Sequence, residues 1–277
     1  MMRRSILFLL GCAMLGCAMI GSAVTARAQD QGPWKHDVTQ ALKAASEKNF
    51  PGAEQSFVKA LHEAETFGAN DFRVGITLNG LGLVYREEKK YGEAEAAYRR
   101  ALGIMQLVYG ENLDVGNVNF NIANVLFDQG RQADALPNLQ KTFTIYQKYL
   151  GSASLKTAAV ICMEGDAFRT LKRYTEAETF LRKCADIREA DAGIESTDLA
   201  DAQYSLALTL VAEGKFSAAE PRFSLVEKIR EKKLGITDPL LAQTMEDHAV
   251  VLRQLGRDKE AEKLTAVAAA IRHSQKK

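Results

Sequence analysis

Small and hydrophobic residues recur along this chain at intervals of 41 or 42 residues. The recurrence is clearest for one set of alanines, which are Ala53, Ala94, Ala135, Ala177, Ala219 and Ala261. Twelve residues before each alanine stands a second small residue, and these are Ala41, Gly82, Ala123, Gly165, Ala207 and Ala249. The larger apolar residues around them keep the three-and-four spacing of an amphipathic helix on both sides of a short polar break. Each interval therefore predicts a helix, a tight turn and a second helix.

The two small residues of each interval indicate how its helices pack. Antiparallel helices approach closely only where one presents Gly or Ala to the other, while larger side chains fill the space above and below. After the second helix, five of the intervals reach a glycine, namely Gly68, Gly110, Gly151, Gly193 and Gly235. Glycine accepts the left-handed conformation that ends a helix. A fixed period of this length indicates stacked units that each leave an apolar face for the next unit.

Two segments show the repeat directly: KKYGEAEAAYRRALGI at residues 89–104 and KRYTEAETFLRKCADI at residues 172–187. Longer segments, GLGLVYREEKKYGEAEAAYRRAL at residues 80–102 and SLALTLVAEGKFSAAEPRF at residues 205–223, have a small residue, a large apolar residue, a Gly or basic turn and the alanine in an order that resembles the tetratricopeptide repeat. The long period is similar to that of kinesin light chains. The resemblance implies an all-α fold, a right-handed α-solenoid of about six helix-turn-helix repeats over residues 35–273, with degenerate first and last repeats. Residues 29–34 are then a short linker, and residues 274–277 a basic tail.

The N-terminal segment has the pattern of a secretory signal. Arg3 and Arg4 precede an apolar run, and a small-x-small triplet ends at Ala28. We expect residues 1–28 to be removed after Ala28 and the protein to be periplasmic or secreted. An alternative is a membrane-anchored lipoprotein, because Cys12 and Cys17 each follow a small residue in a sequence similar to the lipidation box. A retained transmembrane anchor is a further alternative, although glycines interrupt the apolar run.

Charge and cysteine content narrow the function classes. The signal contains three of the 36 basic residues and none of the 35 acidic ones, so the remaining chain is slightly acidic, at 33 basic against 35 acidic residues. A chain with this charge balance is not expected to bind nucleic acid or an anionic membrane surface electrostatically. We expect membrane association only if the chain is lipidated at Cys17 or Cys12. Cys162 and Cys184 remain in a compartment that can oxidise them. A disulfide is conceivable, but Cys162 maps to the groove and Cys184 to the packing face, so two reduced, partly buried thiols are expected.

The resemblance also implies a binding groove lined by the first helix of each repeat, at positions 18, 15, 11 and 8 residues before the anchoring alanine. The candidate groove residues are Asn79, Leu83, Arg86, Asn117, Phe120, Asn121, Asn124, Phe127, Asp166, Arg169, Tyr204 and Leu208, and all of them except Asn121, which follows Phe120, stand at these positions. The asparagine amides can hold the backbone of an extended peptide while the phenylalanines supply apolar contact. Alternatively, the asparagines bridge neighbouring first helices. The arginines either bind a carboxylate or pair with local acids such as Glu87 and Asp166.

Candidate catalytic residues are absent from the pattern. Ser56 and Lys59 have the Ser-x-x-Lys spacing of penicillin-recognising enzymes but none of the accompanying elements. The four histidines are scattered without ligand spacing, so no metal and no cofactor are expected. We therefore predict a non-enzymatic exported scaffold that binds a protein or peptide segment in its groove. The alternative is a structural subunit that self-associates, as a homo-oligomer, or docks through its terminal repeats, where residues 266–271 form a small, apolar helix face.

Overall fold

The computed structural model describes residues 32–193 and 195–275, and within them twelve α-helices follow one another in antiparallel pairs. The helices are α1 (Gly32–Ser46), α2 (Phe50–Thr66), α3 (Phe72–Glu87), α4 (Tyr91–Tyr109), α5 (Leu113–Asp128), α6 (Gln132–Leu150), α7 (Leu155–Thr170), α8 (Tyr174–Ala192), α9 (Thr197–Ala212), α10 (Phe216–Leu234), α11 (Pro239–Gln254) and α12 (Asp258–Ser274). The predicted all-α solenoid of six helix-turn-helix repeats is confirmed. The predicted signal segment, with Cys12 and Cys17, lies outside the described residues.

The chain divides into two compact units. The N-terminal unit extends to Ile145 and contains α1 to α5 with most of α6, and the C-terminal unit begins at Tyr146 and contains α7 to α12. In each unit the second helix of one repeat packs against the first helix of the next. None of the helices in the described ranges is both long enough and apolar enough to span a bilayer.

The anchoring alanines belong to the core of the six repeats. All six are completely buried. The small residue twelve positions earlier faces a large side chain of the second helix: a Cβ on Gly82 would lie 2.8 Å from the Tyr98 ring, and a Cβ on Gly165 would lie 2.6 Å from Cγ of Leu181. Small residues on the first helix therefore face large side chains on the second, as predicted, and this pairing sets the distance between the two helices of a repeat.

Polar side chains fix where the first helices of repeats two to six begin. Each of these helices has an N-cap side chain that accepts a hydrogen bond from a backbone N–H of its first turn, and the caps are Asp71, Asn112, Ser154, Ser196 and Asp238. Such a cap satisfies one of the four N–H groups that have no partner within the helix. The glycine at the end of the preceding second helix has a positive φ, from 65° at Gly110 to 124° at Gly68, as expected.

The turn inside each repeat also needs a left-handed residue. Glycine supplies it in repeats three, five and six, but Lys48, Lys89 and Lys172 supply it in the others, with φ of 60°, 62° and 60°. A residue with a Cβ pays a steric cost in this conformation that glycine does not. The three lysine turns are therefore strained by comparison with their glycine equivalents.

The first repeat starts earlier than predicted. Helix α1 begins at Gly32, so Trp34 lies inside it and not in a linker over residues 29–34. The indole Nε1 of Trp34 donates a hydrogen bond to Thr77 Oγ1 at 2.9 Å, and the ring meets Phe72 edge-on at 6.3 Å between centroids. These contacts with α3 bury Trp34 and extend the helix, and no local sequence signal reveals them.

Candidate functional site

In the N-terminal unit, the candidate groove residues of α3 and α5 make up what we call the first-helix face: Asn79, Leu83, Arg86, Asn117, Phe120, Asn121, Asn124 and Phe127. Asn121 Nδ2 donates a hydrogen bond to Asn79 Oδ1 at 3.0 Å and so ties α5 to α3. This is the contact expected of asparagines that bridge neighbouring first helices. An amide has two N–H donors and an acceptor oxygen, so the bond uses only part of what each side chain offers.

Asn124 is engaged differently. Its Nδ2 donates to the backbone oxygen of Phe120, one turn earlier on the same helix, at 2.9 Å. Asn124, Phe127 and Leu83 are all half-buried on the first-helix face. The first-helix face therefore offers the amide of Asn124 and two partly exposed apolar side chains in addition to the Asn79–Asn121 pair.

The charge of Arg86 is neutralised inside this face. Arg86 Nε lies 2.5 Å from Asp128 Oδ2, and the two side chains are only 13% and 6% exposed. The sequence pointed to Glu87 as the local acid, but the partner comes from the next repeat, because the end of α5 lies beside the end of α3. Burial instead raises the pKa of Glu87, although Arg86 acts to lower it.

In the C-terminal unit the candidate residues belong to a network of charged groups. Arg169 lies 3.3 Å from Asp166, the local partner that the sequence suggested. Burial raises the pKa of Asp166 even though Arg169 acts to lower it. The hydroxyl of Tyr204 donates a hydrogen bond to Asp247 Oδ2 on α11, the first helix of the next repeat. Leu208 on α9 is half-buried.

A buried arginine that the sequence reading missed organises this network. Arg230 is 1% exposed, and its guanidinium lies 4.6 Å from the centroid of the Tyr204 ring. It donates to Thr244 Oγ1 at 2.7 Å and to Asp201 Oδ1 at 2.9 Å. A signal was present, because arginine stands eleven residues after the anchoring alanine in each of the last three repeats, at Arg188, Arg230 and Arg272.

Cys162 and Cys184 are joined in a disulfide between α7 and α8, with their Cα atoms 5.3 Å apart. The expectation of two reduced thiols is therefore wrong. It assumed that a residue fifteen positions before the anchoring alanine faces only the groove, whereas Cys162 lies at the edge between the groove and the helix pair and is 8% exposed. The Cα separation is inside the limit of about 7 Å for a disulfide.

Comparison with known proteins agrees with this architecture. Two family models of the tetratricopeptide repeat match the chain, one over residues 114–190 and the other over residues 74–112. No curated protein sequence matches it. Among the described residues, no three histidine, cysteine, aspartate or glutamate side chains are placed to hold a common metal ion.

Several solved structures share the fold. BtubC (BKLC) from P. vanneervenii has a TM-score of 0.70 and 21% identity, with 82% of this chain and 92% of that chain covered. Kinesin-light-chain TPR-like repeats from Podosopora anserina have a TM-score of 0.63 and 19% identity over 75% of this chain and 97% of that one. YrrB, described as a TPR protein with an unusual peptide-binding site, has a TM-score of 0.52 and 19% identity over 76% of this chain and 92% of that one. The chain therefore matches the tetratricopeptide repeat over residues 74–112 and 114–190, and its solenoid fold is shared with kinesin-light-chain-like repeat proteins.

Proposed function

We propose that this protein is an exported scaffold whose first-helix face in the N-terminal unit binds an extended, uncharged segment of a partner protein. The hydrogen bond from Asn121 to Asn79 is the observation that carries the proposal. It uses the acceptor of Asn79 and a donor of Asn121, so Nδ2 of Asn79 and Oδ1 of Asn121 retain the donor and acceptor that a peptide C=O and N–H require. The two amides hold each other in place, so less side-chain entropy is lost when a ligand binds.

The chemistry around this pair favours an uncharged ligand. Arg86 is already neutralised by Asp128, and both side chains are largely withdrawn from solvent. The half-buried Leu83 and Phe127 follow the amides along the same two helices and offer apolar contact. A segment that brought a charge to this face would lose hydration without gaining a free counter-charge. An extended segment with alternating apolar side chains fits these conditions best.

The comparisons support binding in general terms. Tetratricopeptide repeats are typically non-catalytic and generally serve as scaffolds for proteins or peptides. The description of YrrB attributes a peptide-binding site to that protein. These relationships support the class of function, and the first-helix face is our assignment within it.

Export is supported by two independent features. The segment before Ala28 has the pattern of a secretory signal. The disulfide between Cys162 and Cys184 fits an oxidising compartment such as the periplasm or the extracellular space, because cytosolic reductants keep thiols reduced. Lipidation at Cys17 would keep the protein on a membrane in the same compartment, and mass spectrometry of the native N terminus distinguishes the two forms.

The test is a crosslinking pull-down from the native envelope with two matched triple variants. The first changes Phe120, Asn124 and Phe127 to Ala. The control changes the residues at the same repeat positions in the C-terminal unit, Tyr204, Leu208 and Val211, to Ala. We expect a partner that is captured by the wild type and the control but lost from the first variant, with both variants helical by circular dichroism. If both variants capture the partner as efficiently as the wild type, the assignment is contradicted.

A second candidate function, self-association through the last repeat, is favoured by the outer face of α12. Val267 is 47% exposed there, beside the exposed Ala266 and Ala270. Changing Val267 to Glu would place a charge in any interface formed by this face. A fall in molar mass measured by light scattering would establish self-association, whereas an unchanged mass would exclude this face from it.

A further inference from the structure

The disulfide bridge occurs in a repeat whose core is unusual. Thirteen residues before the anchoring alanine, three repeats have a buried aliphatic residue, namely Leu81, Ile122 and Leu206. Repeat four has Glu164 at this position, and it is only 4% exposed. Burial raises the pKa of Glu164 to about 7, although Lys183 on α8 acts to lower it. A carboxyl group in an apolar position weakens the packing of the helix pair that contains it.

Cys162 also differs in role from its equivalents in other repeats. Asn79 and Tyr204 stand at the same position, and each is hydrogen-bonded to the first helix of the following repeat. Cys162 is instead bonded covalently to Cys184 on the second helix of its own repeat. The bridge thus joins α7 to α8 on one face of α7, and the buried Glu164, two residues further along, lies on nearly the opposite face of the same helix.

We propose that the Cys162–Cys184 bridge is a redox-controlled lock on repeat four: when it is oxidised it keeps α7 packed against α8, and when a dithiol reductant opens it this helix pair, which also carries the buried Glu164, separates locally. The controlled element is repeat four of the C-terminal unit, so the lock is independent of the binding face proposed in the N-terminal unit.

The chemistry is thiol–disulfide exchange with a dithiol, of the kind carried by small reductants and by dithiol oxidoreductases. A thiolate of the reductant attacks Sγ of Cys162, the more exposed of the two cysteine residues, and Cys184 leaves as a thiolate that takes up a proton. The second thiolate of the reductant then displaces Cys162, which is also protonated. Two electrons pass from the dithiol to the bridge, the reductant becomes a disulfide, and the protein has two thiols.

The lock is expected to have a large local effect for two reasons. The bridge closes a loop of 22 residues, and a cross-link of that span changes an opening equilibrium by about a hundredfold. The pair it closes contains the buried Glu164, so the reduced pair has a buried polar group in place of the leucine or isoleucine found at three equivalent positions. Other repeats have neither the bridge nor this carboxyl group at these positions.

Hydrogen exchange measured by mass spectrometry on the mature chain tests the proposal, with dithiothreitol as the reductant and thiol alkylation to report the redox state. We expect reduction to increase exchange in α7 and α8 by about a hundredfold and in α3 and α4, the matching helices of repeat two, by less than twofold. Equal protection of repeat four in both redox states overturns the lock, as does an equal loss in both repeats.

Two variants separate the bridge from the carboxyl group. Changing Cys162 and Cys184 together to Ala places at position 184 the residue that repeats one, two and six have there. This variant should exchange as the reduced protein does and should not respond to dithiothreitol; a continued response would show that the reductant acts elsewhere. Glu164→Leu should slow exchange of α7 and α8 in the reduced protein, because it removes the buried carboxyl, and an unchanged rate would refute the contribution of Glu164 to local opening.

Discussion

The buried carboxyl of Glu164 predicts an unusual dependence of stability on pH. Glu164→Gln keeps the shape and length of the side chain and removes its ionisation. Because burial raises the pKa of Glu164 to about 7 from the ordinary 4.5, the folded protein keeps a proton that the unfolded chain loses at lower pH. The free energy of unfolding of the wild-type C-terminal unit should therefore fall as pH rises from about 4.5 through about 7, and should then level off.

The size of the effect follows from the two pKa values. A pKa that rises from 4.5 to about 7 corresponds to about 3 kcal/mol between the protonated and ionised limits, at 1.36 kcal/mol per pKa unit. Glu164 is 4% exposed, so solvent screening reduces this figure little. The Gln variant does not ionise and so does not lose this stability as the pH rises. Its advantage over wild type should grow by about 3 kcal/mol between pH 4.5 and pH 8, which is more than a hundredfold in the opening equilibrium.

The assay must report on repeat four and not on the whole chain. Trp34, the one tryptophan, lies in repeat one, so its fluorescence reports on the N-terminal unit. We would follow hydrogen exchange in the peptide over residues 155–170 of the oxidised protein at several pH values, corrected for the intrinsic exchange rate. The reasoning is refuted if the advantage of Glu164→Gln is the same at pH 5 and pH 8.

Glu176→Gln is the matched control on the neighbouring helix α8. A hydrogen bond from Arg173 lowers the pKa of Glu176. Its contribution to stability is thus present above pH 4.5 and is lost as pH falls further, the opposite sign to that of Glu164. The control should therefore show no growing advantage between pH 5 and pH 8.

Three further substitutions test other parts of the structure. Lys89→Gly should raise the free energy of unfolding by about 1 kcal/mol, because φ is 62° at Lys89. A lower free energy of unfolding, measured by urea denaturation, would contradict this. Gly82→Ala should lower it by about 1–3 kcal/mol, since its Cβ would lie 2.8 Å from the Tyr98 ring, and an unchanged midpoint would show that the pair can relax. Arg230→Met should destabilise the C-terminal unit by about 2–4 kcal/mol through loss of the bonds to Asp201 and its other partners, with exchange in α9 to α11 as the measurement.

Local pattern was enough to predict most of the fold. The alanine period predicted six helix pairs, and the structure buries every anchoring alanine completely. The glycines after the second helices, such as Gly110, adopt the left-handed conformation expected of them. These features depend on residues within a few turns of one another, where helical geometry alone determines which side chains face each other.

The candidate site was only partly predictable. The first-helix positions identified Asn79 and Asn121, and the structure joins them. The sequence pattern did not identify Asp128 as the partner of Arg86, because Asp128 lies in the next repeat and Glu87 is adjacent in sequence. A repeat pattern gives the position of a residue along its helix, but a long side chain can reach several acids that are equally close in sequence.

The sequence by itself determined the period, the helix pairs, the small residues at their contacts and the candidate face. Only the tertiary structure decided that Cys162 meets Cys184, that Arg230 is buried beneath Asp201, and that Trp34 belongs to the first helix. The physical reason is distance. Each of these contacts joins residues ten or more positions apart, and whether they meet depends on interhelical separations of a few ångströms that large and small side chains set together.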